Sequence, residues 1–257
     1  MIRGFITAVR ILTIIPVPGR EAEKLSDAFY WFPVIGFLLG ANLWAVAILF
    51  HLITPDWAMG SAGVVITAGS VLTLFLHLDG LADWGDGFLG AKEPEQTLRI
   101  MKDSYVGAFG VIILVVVLLM KWISVARLIE FDALHWLVSA CVISRTLQVD
   151  LAVALPYARI EGGTAAPFVR DACTRHRVVA LAVAAGLVLI VSGPVGVLAL
   201  GVSWFMGRIL AIWFRQRIGG ITGDLLGAAS ELMETGVLFA GAIVGKTLCK
   251  YSLWEWL

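Results

Sequence analysis

The sequence predicts an all-α fold: a polytopic transmembrane helical bundle of about seven spans, with an N-terminal interfacial or re-entrant helix. The first observation is composition, 60% hydrophobic and 15% charged, against about 45–50% and 25% for an ordinary soluble domain. The second is a mean hydropathy of +0.91 over 257 residues. The third is that the apolar residues fall in runs of about 20, the length that crosses a hydrocarbon core as a helix.

Residues 2–15 form a shorter apolar stretch ending in Pro16-Val17-Pro18. Arg3 and Arg10 lie seven apart on one face of it, which predicts a helix in the interface plane or re-entering the membrane. Spans are expected at 33–53, 58–78, 107–126, 133–155, 178–192, 197–214 and 236–250. The fifth ends at Ser192-Gly193-Pro194, a turn signal. No soluble domain, repeat or low-complexity tract interrupts them, so residues 1–257 read as a single integral-membrane domain with the lipid bilayer as partner. Cys141, Cys173 and Cys249 are odd in number and outside any CxxC pattern, hence free thiols. No cleavable signal peptide is expected, and the C-terminal LWEWL reads as an interfacial anchor. Net charge is zero, so the overall balance says nothing about a polyanionic partner; no nucleic-acid partner is expected. Oligomeric state, a homo-oligomer included, stays open.

The charges are unevenly placed. The N-terminal arm and the loops at 79–106, 156–177 and 215–235 are separated by pairs of spans and fall on one side, carrying 13 of the 19 Lys and Arg residues. The opposite loops carry only Arg127. The positive-inside rule makes the charged side cytoplasmic.

The most informative stretch is HLDGLADWGDG, His77 to Gly87. Asp79, Asp83 and Asp86 are spaced i, i+4 and i+7, so a helix projects all three from one face. A solvated helix face explains many acidic runs. Here the neighbours are small or apolar, and Asp and Gly are poor helix formers at a span end. Three carboxylates on one face repel unless a cation sits between them, and hard oxygen ligands suit Mg²⁺ shared with substrate phosphates. His77 reads as an interfacial polar residue.

Pro94 opens a short helix after this motif, and Arg99, Lys102 and Asp103 follow it. As an alternative to a plain amphipathic helix, Arg99 or Lys102 would contact phosphate. Gly219, Gly220 and Thr222 form a turn before a helix, able to present backbone N–H groups to an anion. Asp224 and Glu231, extended by Glu234, give that helix a small, acidic face. A helix cap explains Asp224 but not Glu231. Arg145 and Arg208 lie inside expected spans. Such charges face a cavity or a partner: Arg145 a motif aspartate, Asp150 or a ligand phosphate, whereas Arg208 can snorkel. Arg159, in the loop after Pro156, is one more candidate phosphate ligand.

Together these residues resemble one family, the cobalamin synthases or adenosylcobinamide-GDP ribazoletransferases. The landmarks run in order: LTIIPVP, FPVIGFLLG, HLDGLADWGDG, LRIMKDSYVGAFGV, Ser144-Arg145, PYAR at 156–159 and GGITGDLLGAASELME. Trp84 stands where the family commonly has a small or polar residue, and Tyr105 where it often has arginine. The resemblance implies a Mg²⁺-dependent phosphotransferase of the bacterial or archaeal cell (inner) membrane, its active site facing the cytoplasm. Adenosylcobinamide phosphate would pass from adenosylcobinamide-GDP to α-ribazole or its 5′-phosphate, releasing GMP. Asp79, Asp83 and Asp86 would bind metal, and Asp103, Asp224 and Glu231 would complete the coordination or supply a base. Lys102, Arg145 and Arg159 would hold phosphate, with Arg99 and the glycine turn.

Two other classes make different demands. A CDP-alcohol phosphotransferase needs an arginine soon after DG-x-x-A and two further aspartates at longer spacing; here Ala82 is followed by Asp83. A secondary transporter would place carboxylates near mid-membrane in several spans.

Overall fold

The computed structural model describes residues 1–248, and over these the chain is helical throughout. The elements are α1 (Ile2–Leu12), a 3-10 turn (Leu25–Tyr30), α2 (Phe32–Ile53), α3 (Ala58–Leu72), α4 (Leu76–Gly90), α5 (Pro94–Ile100), α6 (Ala108–Glu130), α7 (His135–Ala154), α8 (Ala166–Arg170), α9 (Thr174–Ile218) and α10 (Gly223–Leu248). Cys249 and the LWEWL tail lie outside the described residues.

The bundle is built around α7, in which every residue from Trp136 to Ala152 is buried. It packs against α2, α9 and α10. A helix that is apolar on all sides needs such a surround, and α7 also carries Arg145, Gln148 and Asp150 inside it.

At 45 residues, α9 would be about 68 Å long if straight, more than twice a hydrocarbon core of about 30 Å. It is broken at Gly193, whose φ of 65° and ψ of −157° precede Pro194. One carboxylate then ties the two limbs together: Asp150 meets Arg177 Nε at 2.7 Å and Arg208 Nη1 at 3.2 Å. Arg177 and Arg208 flank the break at similar distances along the chain, so the limbs run back alongside each other as a hairpin. Arg208 therefore pairs rather than snorkels, and Asp150 answers α9 rather than Arg145.

Among the described residues, five helices can cross a membrane by length and composition, or six when α3 and α4, bent by 90°, are taken as one broken span. The seventh expected span comes from separating the limbs of α9. One boundary differs substantially. The last span was expected from 236, but α10 starts at Gly223, so Asp224, Glu231 and Glu234 ride on the spanning helix itself rather than in a polar loop.

The aspartate motif is helical over Leu76–Gly90 and sits among three neighbours. The chain reaches it through Leu74 and Phe75, both left-handed with φ of 53° and 56°. A Cβ on Gly80 would lie 2.6 Å from the Asp224 carbonyl oxygen, and one on Gly85 3.3 Å from Gly110 Cα. These glycines let α4 touch the backbones of α10 and α6, the close approach that small residues permit between membrane helices. α5 folds back onto α4 at Gly87. Arg217 closes the other end of α4, donating to the carbonyls of Phe88, Ala91 and Lys92.

The four charged segments meet at one end of the bundle. Ile221 N–H donates to Pro156 O and Ala158 N–H to Ile221 O, both at 2.9 Å. Lys102 reaches Glu161, Arg217 reaches Lys92, and Asp27 of the N-terminal arm approaches His176. α1 packs its Ile6, Ala8, Val9 and Leu12 inward, while Arg3 and Arg10 pair with Glu23 and Glu21.

Backbone contact between α4 and α10 predicts that Gly80→Val lowers the detergent melting temperature by several degrees. Gly186 has nothing within 4 Å of a built Cβ, so Gly186→Ala holds or raises it, in line with the roughly 0.5–1 kcal/mol by which Ala outperforms Gly in a helix. Equal melts for the two variants would contradict the packing.

Candidate active site

The three motif aspartates share a helix face but not an environment. Asp79 is exposed, Asp83 half-buried and Asp86 buried. Asp86 accepts the Gly107 N–H on Oδ2 at 2.6 Å and the Gly110 N–H on Oδ1 at 2.8 Å. It caps α6 from outside, meeting otherwise unpaired N–H groups and the positive end of the helix dipole. A Cβ on Gly107 or on Gly110 would come within 2.5 Å of these oxygens, which accounts for both glycines. Both oxygens of Asp86 thus position the start of α6, which leaves this carboxylate fewer free lone pairs for a metal ion than Asp79 or Asp83.

Asp79 and Asp83 instead gather with Asp224, across the Gly80 contact. The charges of Asp224, Asp79 and Asp86 all act on Asp83, as does Arg159. Arg159 is the cation of this group: its Nη2 donates to Asp224 Oδ2 at 2.6 Å and to Met101 O at 3.3 Å. Its Nε is buried and makes no hydrogen bond within the protein. Thr222 caps α10, accepting the Leu225 N–H at 3.2 Å, and lies 3.4 Å from Asp224 Oδ2. Gly219 ends α9 with a left-handed φ of 78°, its N–H bonded to Arg215 O. Gly220 lies against Pro156 where the two loops pair. With the Gly219 and Ile221 donors used inside the protein, the turn offers an anion fewer N–H groups than its sequence suggests.

Among the described residues no three His, Cys, Asp or Glu side chains form a ready metal cage. Asp79, Asp83 and Asp224 are nonetheless three hard carboxylates close enough for their charges to act on one another, with the Arg159 guanidinium bonded to Asp224. That donor set fits a loosely held Mg²⁺, which keeps several waters and takes only one or two carboxylates.

Other candidates stand elsewhere. Lys102 is exposed and pairs with Glu161 at 2.7 Å; that hydrogen bond and the ammonium charge hold the Glu161 carboxyl below its usual range. Asp103 is exposed and accepts the Tyr105 N–H. Arg99 is exposed on α5. Arg145 and Glu231 do not reach the aspartates. They belong to a buried network in which Lys121 bonds Glu231 at 2.7 Å and Glu234 at 2.8 Å, and Arg145 also bonds Glu234. Arg145 Nη2 lies 3.5 Å from His77 Nδ1, and Gln148 Nε2 lies 3.0 Å from His77 Nε2 and 3.3 Å from Leu226 O. This corrects the placement of Arg145 at phosphate and Glu231 at metal: each is neutralised by a neighbour inside the membrane. His77 is buried, not interfacial. Lys121 went unnoticed in the sequence, although a lone lysine in VVVLLMKWIS is the signal that an intramembrane partner exists. Two cations balance two carboxylates here, a closed cluster rather than the ion path that a transporter requires.

The family model described as cobalamin-5-phosphate synthase matches residues 4–242. The chain belongs to that family. It is 43% identical over 245 residues to a protein of Chlorobium phaeobacteroides (strain BS1) named adenosylcobinamide-GDP ribazoletransferase, covering 94% of this chain and 98% of the relative. A protein of the same name from Chlorobaculum parvum is 43% identical over 250 residues, 95% of this chain and 96% of its own. One from Syntrophobacter fumaroxidans is 35% identical over 243 residues, 93% and 97% of the two chains. No solved structure matches. In this chain, Trp84 faces away from the acidic group, edge-on to Trp213 at 5.9 Å.

The buried network and the surface pair differ sharply in what their loss does. Glu234→Ala leaves Lys121 and Arg145 short of a partner and destabilises by about 3–5 kcal/mol, the usual effect of breaking a buried pair. Lys102→Ala leaves the detergent melt unchanged. A small shift for Glu234→Ala would contradict a water-excluded network.

Proposed function

We propose that this chain joins adenosylcobinamide-GDP to α-ribazole or α-ribazole 5′-phosphate, giving adenosylcobalamin or its 5′-phosphate and GMP. The reaction forms a bond from the acceptor hydroxyl oxygen to the cobinamide phosphorus. It breaks the phosphoanhydride bond, whose electron pair leaves on GMP. Family membership supplies the reaction class, and the relatives' name supplies the substrates. The observation that carries the reading onto residues is the meeting of Asp79, Asp83 and Asp224 with Arg159 at the charged end of the bundle.

Asp79, exposed at the rim, accepts the proton of the acceptor hydroxyl or orients that hydroxyl toward phosphorus. Arg159, anchored on Asp224 through Nη2, turns its guanidinium toward a non-bridging phosphate oxygen. Asp83, with Asp79 and Asp224, is the set that would hold Mg²⁺. When bound, the ion supplies charge neutralisation on the transferred and departing phosphates. Asp86 and the Arg217 cap on α4 fix the helix that carries these groups, and a rigid support is what such positioning needs. The concentration of Lys and Arg on this end supports a cytoplasmic active site, where a guanosine nucleotide donor is at hand.

Asp79→Ala is expected to reduce GMP release from adenosylcobinamide-GDP and α-ribazole by about 100-fold or more, the scale of losing general-base assistance, with an unchanged detergent melt. Near-normal release would remove Asp79 from the chemistry.

A further inference from the structure

A groove of 450 Å³ begins at Asp79 and runs between α3 and α6 over α4. Its wall is mostly apolar, formed by Ile66, Phe75, Leu78, Ala82, Leu114 and Leu118, with Thr67 and Ser70 also lining it and Asp79 as its single charged residue. A size in the range of about 300–1,000 Å³, with mostly apolar walls and a few polar groups, is the usual form of a small-molecule site. The inner end of this groove is not plain hydrocarbon. Ile66, Ser70 and Leu118 line it and also line a smaller cavity of 40 Å³ that contains Lys121, Glu231 and Glu234. An acyl chain entering from the bilayer would bring its most apolar end to a charged layer. A flat heteroaromatic ring, apolar on its faces and polar at its nitrogen, meets apolar walls and a polar end together.

We infer that this groove receives the aromatic base of the acceptor riboside, with the ribose at Asp79. The inference rests on the function proposed above and extends it from the phosphates to the acceptor. The base slides between α3 and α6 along the Leu114 and Leu118 face of α6, and Phe75 covers it from the α3–α4 turn. The ribose hydroxyl then lies at the mouth beside Asp79, where the transferred phosphate is held. On this account the membrane setting serves the acceptor: the bundle offers the base an apolar slot that opens at the charged surface.

The test measures GMP release with purified protein in detergent, varying α-ribazole and adenosylcobinamide-GDP separately. Leu114→Trp fills the groove and is expected to raise the KM for α-ribazole at least about tenfold, the scale on which apolar pockets discriminate. The KM for adenosylcobinamide-GDP stays within about twofold, because a uniform acceptor contact is what has been removed. Leu114→Ala cannot overfill the bundle and raises the α-ribazole KM by about fivefold, so the inference stays testable if the tryptophan variant does not fold. Unchanged acceptor KM in Leu114→Ala overturns the inference. So does loss of tightly bound phospholipid from Leu114→Trp with the acceptor KM intact, which assigns the groove to an acyl chain. Wild-type protein that releases no GMP from this pair of substrates contradicts the proposed function instead.

Discussion

The carboxylate of Asp86 on the first turn of α6 is the interaction from which the arrangement of the active end follows. α4 is a poor helix by composition, rich in Gly and Asp, and it leaves α3 through two left-handed non-glycine residues. It is held by what surrounds it: Asp86 bonds the Gly107 and Gly110 N–H groups, Gly80 rests on the Asp224 backbone, and Arg217 closes the last turn. Each of these contacts fixes the rotation of α4 about its axis. With that rotation set, Asp79 and Asp83 face Asp224 and Arg159 rather than lipid. The same spacing that puts three aspartates on one face thus gives them different surroundings, Asp86 against the start of α6 and Asp79 and Asp83 toward Asp224.

The second constraint lies deeper. Lys121, Glu231, Glu234 and Arg145 link α6, α10 and α7, and Gln148 and His77 extend the link to α4. Isolated charges at this depth are costly, so the cluster is balanced, and its members have few alternative partners. It fixes the register of α10 against α4 within two turns of Asp224. The charges read one at a time as candidates for chemistry are, for the most part, the means by which the candidate site is held still.

Much of the fold was legible because a membrane span is a strong signal: length and apolarity alone placed α2, α6 and α7 close to their observed limits. The break in α9 was legible from Ser192-Gly193-Pro194. The start of α10 was not, since Asp224, Glu231 and Glu234 make its first three turns look like a polar loop until Lys121 and Arg145 are set beside them. In the site, Asp79, Asp83, Asp224 and Arg159 were all visible as residue types in order along the chain. What spacing could not separate was Asp86 from its neighbours, because the Gly107 and Gly110 N–H groups that claim it lie more than twenty residues away. Lys102 and Arg145 were likewise plausible phosphate ligands by charge, and only the structure shows where each cation sits: Lys102 on Glu161 outside, Arg145 on Glu234 inside and Arg159 on Asp224.

The proposed division, in which Asp86 builds while Asp79 and Asp83 serve the substrate, is tested most directly by Asp86→Asn. Its thermal melt in detergent is measured together with the Mg²⁺ dependence of GMP release. A lowered melting temperature with the Mg²⁺ concentration for half-maximal rate unchanged in the folded protein is the predicted result. A wild-type melt with a half-maximal Mg²⁺ concentration raised about tenfold, equivalent to some 1.4 kcal/mol of lost binding, would place Asp86 on the metal and contradict the account.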